Sequence, residues 1–212
     1  MGPIETLRTA LFMGDVEVPT IGRWVPDYPW THLTHNLIRQ VCERVKPGFW
    51  IEIGSMFGGS AIRVAEVTKE MGLETDIVCI DPFSAGSEVW LGRDGTSNEW
   101  LGLRGGRPTV YEAFLLKVHH AGHSDRIMAL PMTSACGLRI IERFVACCSL
   151  PRPQVIYLDG SHEIHETRFE IERSLELLEP GGILLGDDLS QIAPALEGRR
   201  FGIIDGQWLI AT

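Results

Sequence analysis

The chain has no run of about 18 apolar residues, the length a bilayer-crossing helix needs, and its opening "MGPIETLRTALFMGDVEVP" lacks the basic start and long apolar centre of a signal peptide. Neither a membrane span nor secretion is expected, and a cytoplasmic protein is. A basic cluster is missing as well. The formal charge is -9 over 212 residues, and "EGRR" at 197–200 is too short a cationic stretch to serve as a basic face. Nucleic-acid binding usually needs such a clustered face, so no nucleic-acid partner is expected. Cysteine is sparse and irregular: Cys42, Cys79, Cys136, Cys147 and Cys148 make an odd number with no C-x-x-C spacing. Four of the five fall inside expected helices or strands, so buried thiols explain them better than disulfides or zinc ligands. No internal repeat and no low-complexity run is visible.

What remains is an ordinary globular composition, 44% hydrophobic with mean hydropathy +0.05, enough for one domain with a sizeable core. From residue 31 the pattern alternates between helical and strand periodicity. Leu33, Leu37, Ile38, Val41, Cys42 and Val45 recur at helical spacing after a candidate cap at Thr31, and "KPG" at 46–48 stops them. "FWIEIG" at 49–54 reads as a strand, "SMFGGS" as a glycine-rich turn, "AIRVAEVTKEM" as a helix and "DIVCID" at 76–81 as a second strand. Strand, helix and strand in that order demand a parallel pair with a right-handed crossover. Further strands are expected at "RIMAL" (126–130), "QVIYLD" (154–159) and "GILLGD" (182–187), and between the last two Ile164, Ile171, Leu175 and Leu178 form a helical stripe ended by "PGG". Nearly continuous apolar strands between amphipathic helices imply a mostly parallel α/β sheet covered on both faces. The ending "FGIIDGQWLIAT" reads as two short strands turning at Asp205 and Gly206, a hairpin at the sheet edge.

Two regions leave this rhythm: residues 1–30, with Trp24, Pro26, Tyr28, Pro29 and Trp30, and residues 84–107, glycine-rich with Trp90 and Trp100. They carry too many tryptophans for solvated linkers. They are expected either to cover a ligand site as a lid or to patch the core or a dimer interface. The domain reading is thus one unit over 1–212, with 31–212 as its core.

In open parallel sheets ligands bind beyond the carboxyl ends of the strands, and three such ends carry unusual chemistry. The first is "IEIGSMFGGS", with Glu52, Gly54, Ser55, Met56, Gly58, Gly59 and Ser60. Glycines permit a tight turn and close backbone approach, and the helix beyond it offers N–H groups to an anionic group. The spacing E-x-G-x-x-x-G matches neither the dinucleotide nor the lysine-containing phosphate loop, so a plain turn is an equal reading. The second is Asp81, placed beyond the turn as an acid that accepts from ribose hydroxyls is placed, or as a turn cap. The third is Asp159 in "YLDGSH", with Asp187 and Asp188 in "GDDL". If their strands are neighbours about 4.8 Å apart, these carboxylates converge. Their repulsion calls for a hard divalent cation such as magnesium, calcium or manganese. The alternative is that Asp159 meets backbone donors while Asp187 and Asp188 face water.

The order "IEIGSMFGGS", "IVCIDPF", "VIYLDGSHEIHETRFEIERSLELLEPGGILLGDDL" and "GQWLI" resembles class I S-adenosylmethionine-dependent methyltransferases. Among these the small-molecule O-methyltransferases of macrolide and aminocoumarin sugars are most similar, the catechol type less so. The resemblance spans residues 32–211. It implies a Rossmann-like, seven-stranded, mostly parallel sheet with an antiparallel terminal strand. It places Gly54, Ser55, Met56, Gly58 and Ser60 around the methionine part of the cofactor, with Glu52 holding the turn or the amine and Asp81 the ribose. Met132, Thr133 and Ser134 would flank the adenine, and Asp159 borders the cofactor. Asp159, Asp187 and Asp188 match the positions that bind Mg2+ in metal-dependent members, where the ion acidifies the acceptor hydroxyl.

Some sugar methyltransferases carry a catalytic aspartate where this chain has Ser161. That leaves His162 as the expected base, with His165 one turn on, because imidazole titrates near neutrality. A hydrogen bond that supports the ligands is its other role. "LSQIAPALEGRR" permits about two helical turns, fewer than relatives have before the terminal strands. The expected function is metal-assisted O-methylation of a small hydroxylated acceptor, sugar-like, polyol or phenolic, in a chain that analogy allows to be a homodimer. The rivals are a metal-independent N- or C-methyltransferase and a cofactor-binding relative without methyl transfer.

Overall fold

The computed structural model describes residues 1–12, 16–19, 33–91, 98–160 and 162–212. Seven strands form one sheet: β1 (Phe49–Ile53), β2 (Asp76–Ile80), β3 (Ile127–Leu130), β4 (Val155–Leu158), β5 (Ile183–Gly186), β6 (Gly202–Ile204) and β7 (Gln207–Ala211). Their order is β3-β2-β1-β4-β5-β7-β6. The first five are mutually parallel, and β7 runs antiparallel to both β5 and β6. The order of strand addition reverses between β1 and β4, so the crevice beyond these strands' carboxyl ends lies at a topological switch point.

Every residue of β1 is buried, as a central strand covered on both faces requires. Side chains alternate across it. Trp50 joins one core with α2 (His35–Val45), α3 (Gly59–Glu70) and α5 (Val110–His120), while Phe49, Ile51 and Ile53 join the other with α1 (Pro3–Leu7), α6 (Ser134–Ala146) and α7 (Ile164–Leu177). The result is a three-layer sandwich of helices, sheet and helices. A short α4 (Ser87–Leu91) lies between β2 and α5, and α8 (Leu189–Ile192) leads into a single 3-10 turn, Ala193–Leu196. These two short turns are all that separates β5 from the terminal hairpin, as the "LSQIAPALEGRR" spacing predicts.

Several expectations change at finer scale. The α2 cap is Thr34, whose Oγ1 accepts from the Leu37 N–H at 3.0 Å, while Thr31 lies outside the described residues. Cys42 and Cys79 are buried, but Cys136, Cys147 and Cys148 are exposed, because the outer face of α6 and its C-terminal cap turn to solvent. Residues 1–12 are core packing rather than a lid: Ile4 and Leu7 are buried against the sheet, and the Ile4 N–H donates to Asp76 at the start of β2. Trp100 packs partly buried against the α2/α3/α5 core. Trp90 is 42% exposed with its Nε1 donating to the Ser84 carbonyl, so it walls no buried pocket. Trp24, Pro26, Tyr28, Pro29, Trp30 and Ser161 lie outside the described residues.

Candidate active site

The glycine turn is shaped by contact with β4. A Cβ added to Gly54, at φ +81°, would lie 2.1 Å from the Asp159 carbonyl oxygen, so no other residue fits there. Met56 also adopts positive φ, 41°, and Gly58 (φ 76°) leads into α3 without a side-chain cap. The first N–H groups of a 12-residue helix therefore point past the turn without a capping side chain. Asp81 organises the same turn from β2. Its Oδ2 accepts from the Ser55 and Met56 N–H groups at 2.8 and 2.7 Å, and its Oδ1 from Phe83 N–H at 2.5 Å. Three of a carboxylate's roughly four acceptor sites are thus committed to backbone. Burial raises its pKa, and these three bonds pull it back.

Glu52 lies beneath the turn, fully buried, with Oε1 accepting from Ser60 Oγ at 2.8 Å. Burial pushes its carboxyl up to about 7, against the pull of the Ser60 and Ser55 hydroxyls. Its Oε2 is buried without a hydrogen-bond partner of good geometry among the described residues, with the Ser55 hydroxyl beside it, which marks the floor of the turn as a place that a donor can complete. On the far side of β2, Thr133 caps α6, its Oγ1 accepting from Cys136 N–H at 3.4 Å. Ser134 turns its hydroxyl to Glu170 on α7.

The carboxyl ends of β4 and β5 bring Asp159, Asp187 and Asp188 together, with one oxygen from each within 4.8 Å of the others. All three are partly buried. β4 and β5 pair in parallel through Leu158↔Gly186, which sets Asp159 beside Asp187. Asp188 follows in the left-handed region, φ 51°, a conformation that Asp tolerates better than most residues. Each carboxylate is aimed by a local bond. The Tyr157 hydroxyl donates to Asp159 Oδ2 at 3.2 Å, and Asp187 Oδ1 accepts from Asp188 N–H at 2.7 Å. Asp188 Oδ1 accepts from Gln191 Nε2 at 3.1 Å, and its Oδ2 lies 2.7 Å from His162 Nε2. Burial, then the charges of Asp187, Glu52 and Asp188, hold the Asp159 pKa well above the ordinary carboxylate range.

Several site residues escaped the sequence reading. Tyr157 shares the strand face of Asp159, two residues away, and period-2 alternation alone would have found it. Trp208 donates its indole N–H to the Asp187 carbonyl at 2.9 Å, and its ring fills the space that Gly186 leaves, where a Cβ would sit 2.3 Å from it. Thr167 and Glu170 are buried on α7 and line a small cavity with Asp159, His162, Asp187 and Asp188. Burial raises the Glu170 carboxyl to about 7. Their one-turn spacing to Ile171 and Ser174 is a helical stripe that hydrophobicity alone hides.

A family profile for the methyltransferase domain matches residues 51–189, more than half of the chain. The chain belongs to this methyltransferase family, and its seven-stranded sheet is the Rossmann-like class I methyltransferase fold. Solved structures agree on the fold. An O-methyltransferase from Bacillus cereus in complex with SAH aligns with TM-score 0.57 at 15% identity, over 88% of this chain and 83% of that one. TomG from Streptomyces achromogenes, an O-methyltransferase of tomaymycin synthesis in complex with SAM, gives 0.56 at 12% over 84% and 79%. A putative caffeoyl-CoA O-methyltransferase from Staphylococcus aureus gives 0.54 at 14% over 100% and 93%. No curated protein matches at a significant level. Among the described residues no helix is long and apolar enough to cross a membrane.

Proposed function

We propose that the protein transfers a methyl group from S-adenosylmethionine to a hydroxyl of a small molecule, with a hard divalent cation held by Asp159, Asp187 and Asp188. The observation that carries this reading is the convergence of three carboxylates within 4.8 Å at the ends of β4 and β5. They lie directly beside a glycine turn whose backbone touches Asp159. Oxygen donors of like charge, one of them with a strongly raised pKa, fit a cation such as magnesium better than they fit one another. A bound magnesium ion would supply Lewis acidity, lowering the pKa of an acceptor hydroxyl near pH 7.

The protein's own groups do the rest. The Gly54–Gly58 turn and the α3 N-terminus take the amino-acid end of the cofactor, with Glu52 Oε2 and Ser55 Oγ supplying polar partners from below. Asp81 holds the turn through backbone N–H groups and keeps one lone pair for the ribose, while Met132, Thr133 and Ser134 border the adenine side. His162, aligned by Asp188, receives the hydroxyl proton, and Asp159 orients the acceptor oxygen.

The test is product analysis. Protein is incubated with S-adenosylmethionine and a panel of sugars, polyols and phenols, with magnesium or with a chelator. A methyl ether that disappears with chelator and returns with magnesium is the expected outcome. A methylated nitrogen or carbon, indifferent to chelation, contradicts the metal-assisted route. Cofactor binding with no product from any acceptor points to a relative without transfer activity.

A further inference from the structure

Gln207 opens β7 and is only 1% exposed, and its Oε1 is buried without a hydrogen-bond partner among the described residues. A buried carbonyl oxygen with no donor is costly, and native proteins rarely keep one without a use. Its position suggests the use. The ladder pair Gly186↔Trp208 sets the next residues, Asp187 and Gln207, side by side at the carboxyl end of the parallel strands. Trp208 packs into the α1/α6/α7 core, so by alternation Gln207 turns to the opposite face. That face carries Leu185, Leu209 and Tyr157 in register, and Tyr157 is the residue that donates to Asp159. No N–H or O–H of the described residues reaches Oε1. A cation at the neighbouring carboxylates would satisfy it.

We infer that Gln207 is a fourth oxygen donor to the cation held by Asp159, Asp187 and Asp188, reaching it directly or through one of its waters. The inference rests on the metal reading of that site proposed above. A carboxamide oxygen is a hard, neutral ligand of the kind such ions accept, adding donor strength without a further negative charge. The sheet-edge side of the site is thereby supplied by β7, while β4 and β5 supply the rest. In the metal-free protein the same oxygen is a liability.

The test uses Mn2+ as the probe, titrated into the chelator-treated full chain and followed by the paramagnetic resonance signal of free Mn2+, alongside thermal unfolding without metal. Gln207→Leu should bind Mn2+ at least about 10-fold more weakly, the scale on which supporting ligands act, and should unfold without metal at the wild-type temperature or above. Gln207→Glu, which keeps the oxygen, should bind at least as tightly as wild type. Wild-type binding with Gln207→Leu within twofold of it overturns this inference and leaves the three-aspartate site standing. So does Gln207→Glu binding as weakly as Gln207→Leu. If wild type binds no Mn2+, the inference and the metal reading fall together.

Discussion

Replacing Gly54 with alanine should cost far more than the same change at Gly72, although both glycines have positive φ, +81° and +70°. At Gly72 nothing lies within 4 Å of the added Cβ, so only the left-handed backbone is penalised, at about 1–2 kcal/mol for an L-residue. At Gly54 the same penalty applies, and the Cβ also meets the Asp159 carbonyl oxygen at 2.1 Å and the Gly160 Cα at 2.5 Å. Both neighbours are backbone and cannot rotate away. Overpacking of this kind adds about 1–3 kcal/mol. The entropy that alanine removes from the unfolded chain is common to both variants and cancels in the comparison. Urea unfolding of the two variants should therefore differ by about 1–3 kcal/mol, or about 2–12 °C in Tm for a domain of this size. Gly54→Ala should also displace Asp159 and weaken divalent-ion binding, which Gly72→Ala leaves intact. Equal stability loss in the two would refute the claim that close approach of β1 and β4 fixes the glycine.

Two further perturbations probe the buried polar groups. Glu52 is held at about 7 instead of the ordinary 4.5, so the native state binds its proton more tightly than the unfolded chain does. Its stabilising contribution is complete below about pH 4.5 and is lost as pH rises through about 7. Glu52→Gln should flatten the decline in stability between pH 5 and pH 8 by on the order of 3 kcal/mol, read from urea unfolding at the two pH values; Glu170 sustains part of the decline because it titrates in the same window. Tyr157→Phe removes the donor to Asp159 and should weaken magnesium binding about 10-fold by calorimetry, while Tm changes by no more than about 4 °C.

The fold was legible because its signals are periodic. Five apolar strands, their intervening helices and the "FGIIDGQWLIAT" hairpin appear where the pattern sets them, with strand ends one residue shorter. Asp159, Asp187 and Asp188 were legible for a related reason: each follows a strand, and parallel neighbours must bring their ends together. Groups defined by which face they take were harder to see. Glu170 and Thr167 look like solvated helix polarity until α6 covers them. Gln207 looks like an edge-strand polar residue until the hairpin folds it beside Asp187. The three exposed cysteines mislead in the opposite direction, since membership of a helix says nothing about which side of it faces the sheet. Residues 1–12 offered no strand or motif, yet Ile4 and Leu7 are core, because burial there depends on the sheet they meet and not on local pattern.

The most direct test of the proposed chemistry is calorimetric titration of chelator-treated protein with magnesium and with S-adenosylmethionine, in wild type and Asp187→Ala. Cofactor binding in both proteins, with magnesium binding in wild type alone, is the predicted result, and the retained cofactor binding certifies that the variant is folded. Wild type that binds the cofactor but takes up no divalent ion, even with hydroxylated acceptors present, would contradict the three-aspartate metal site.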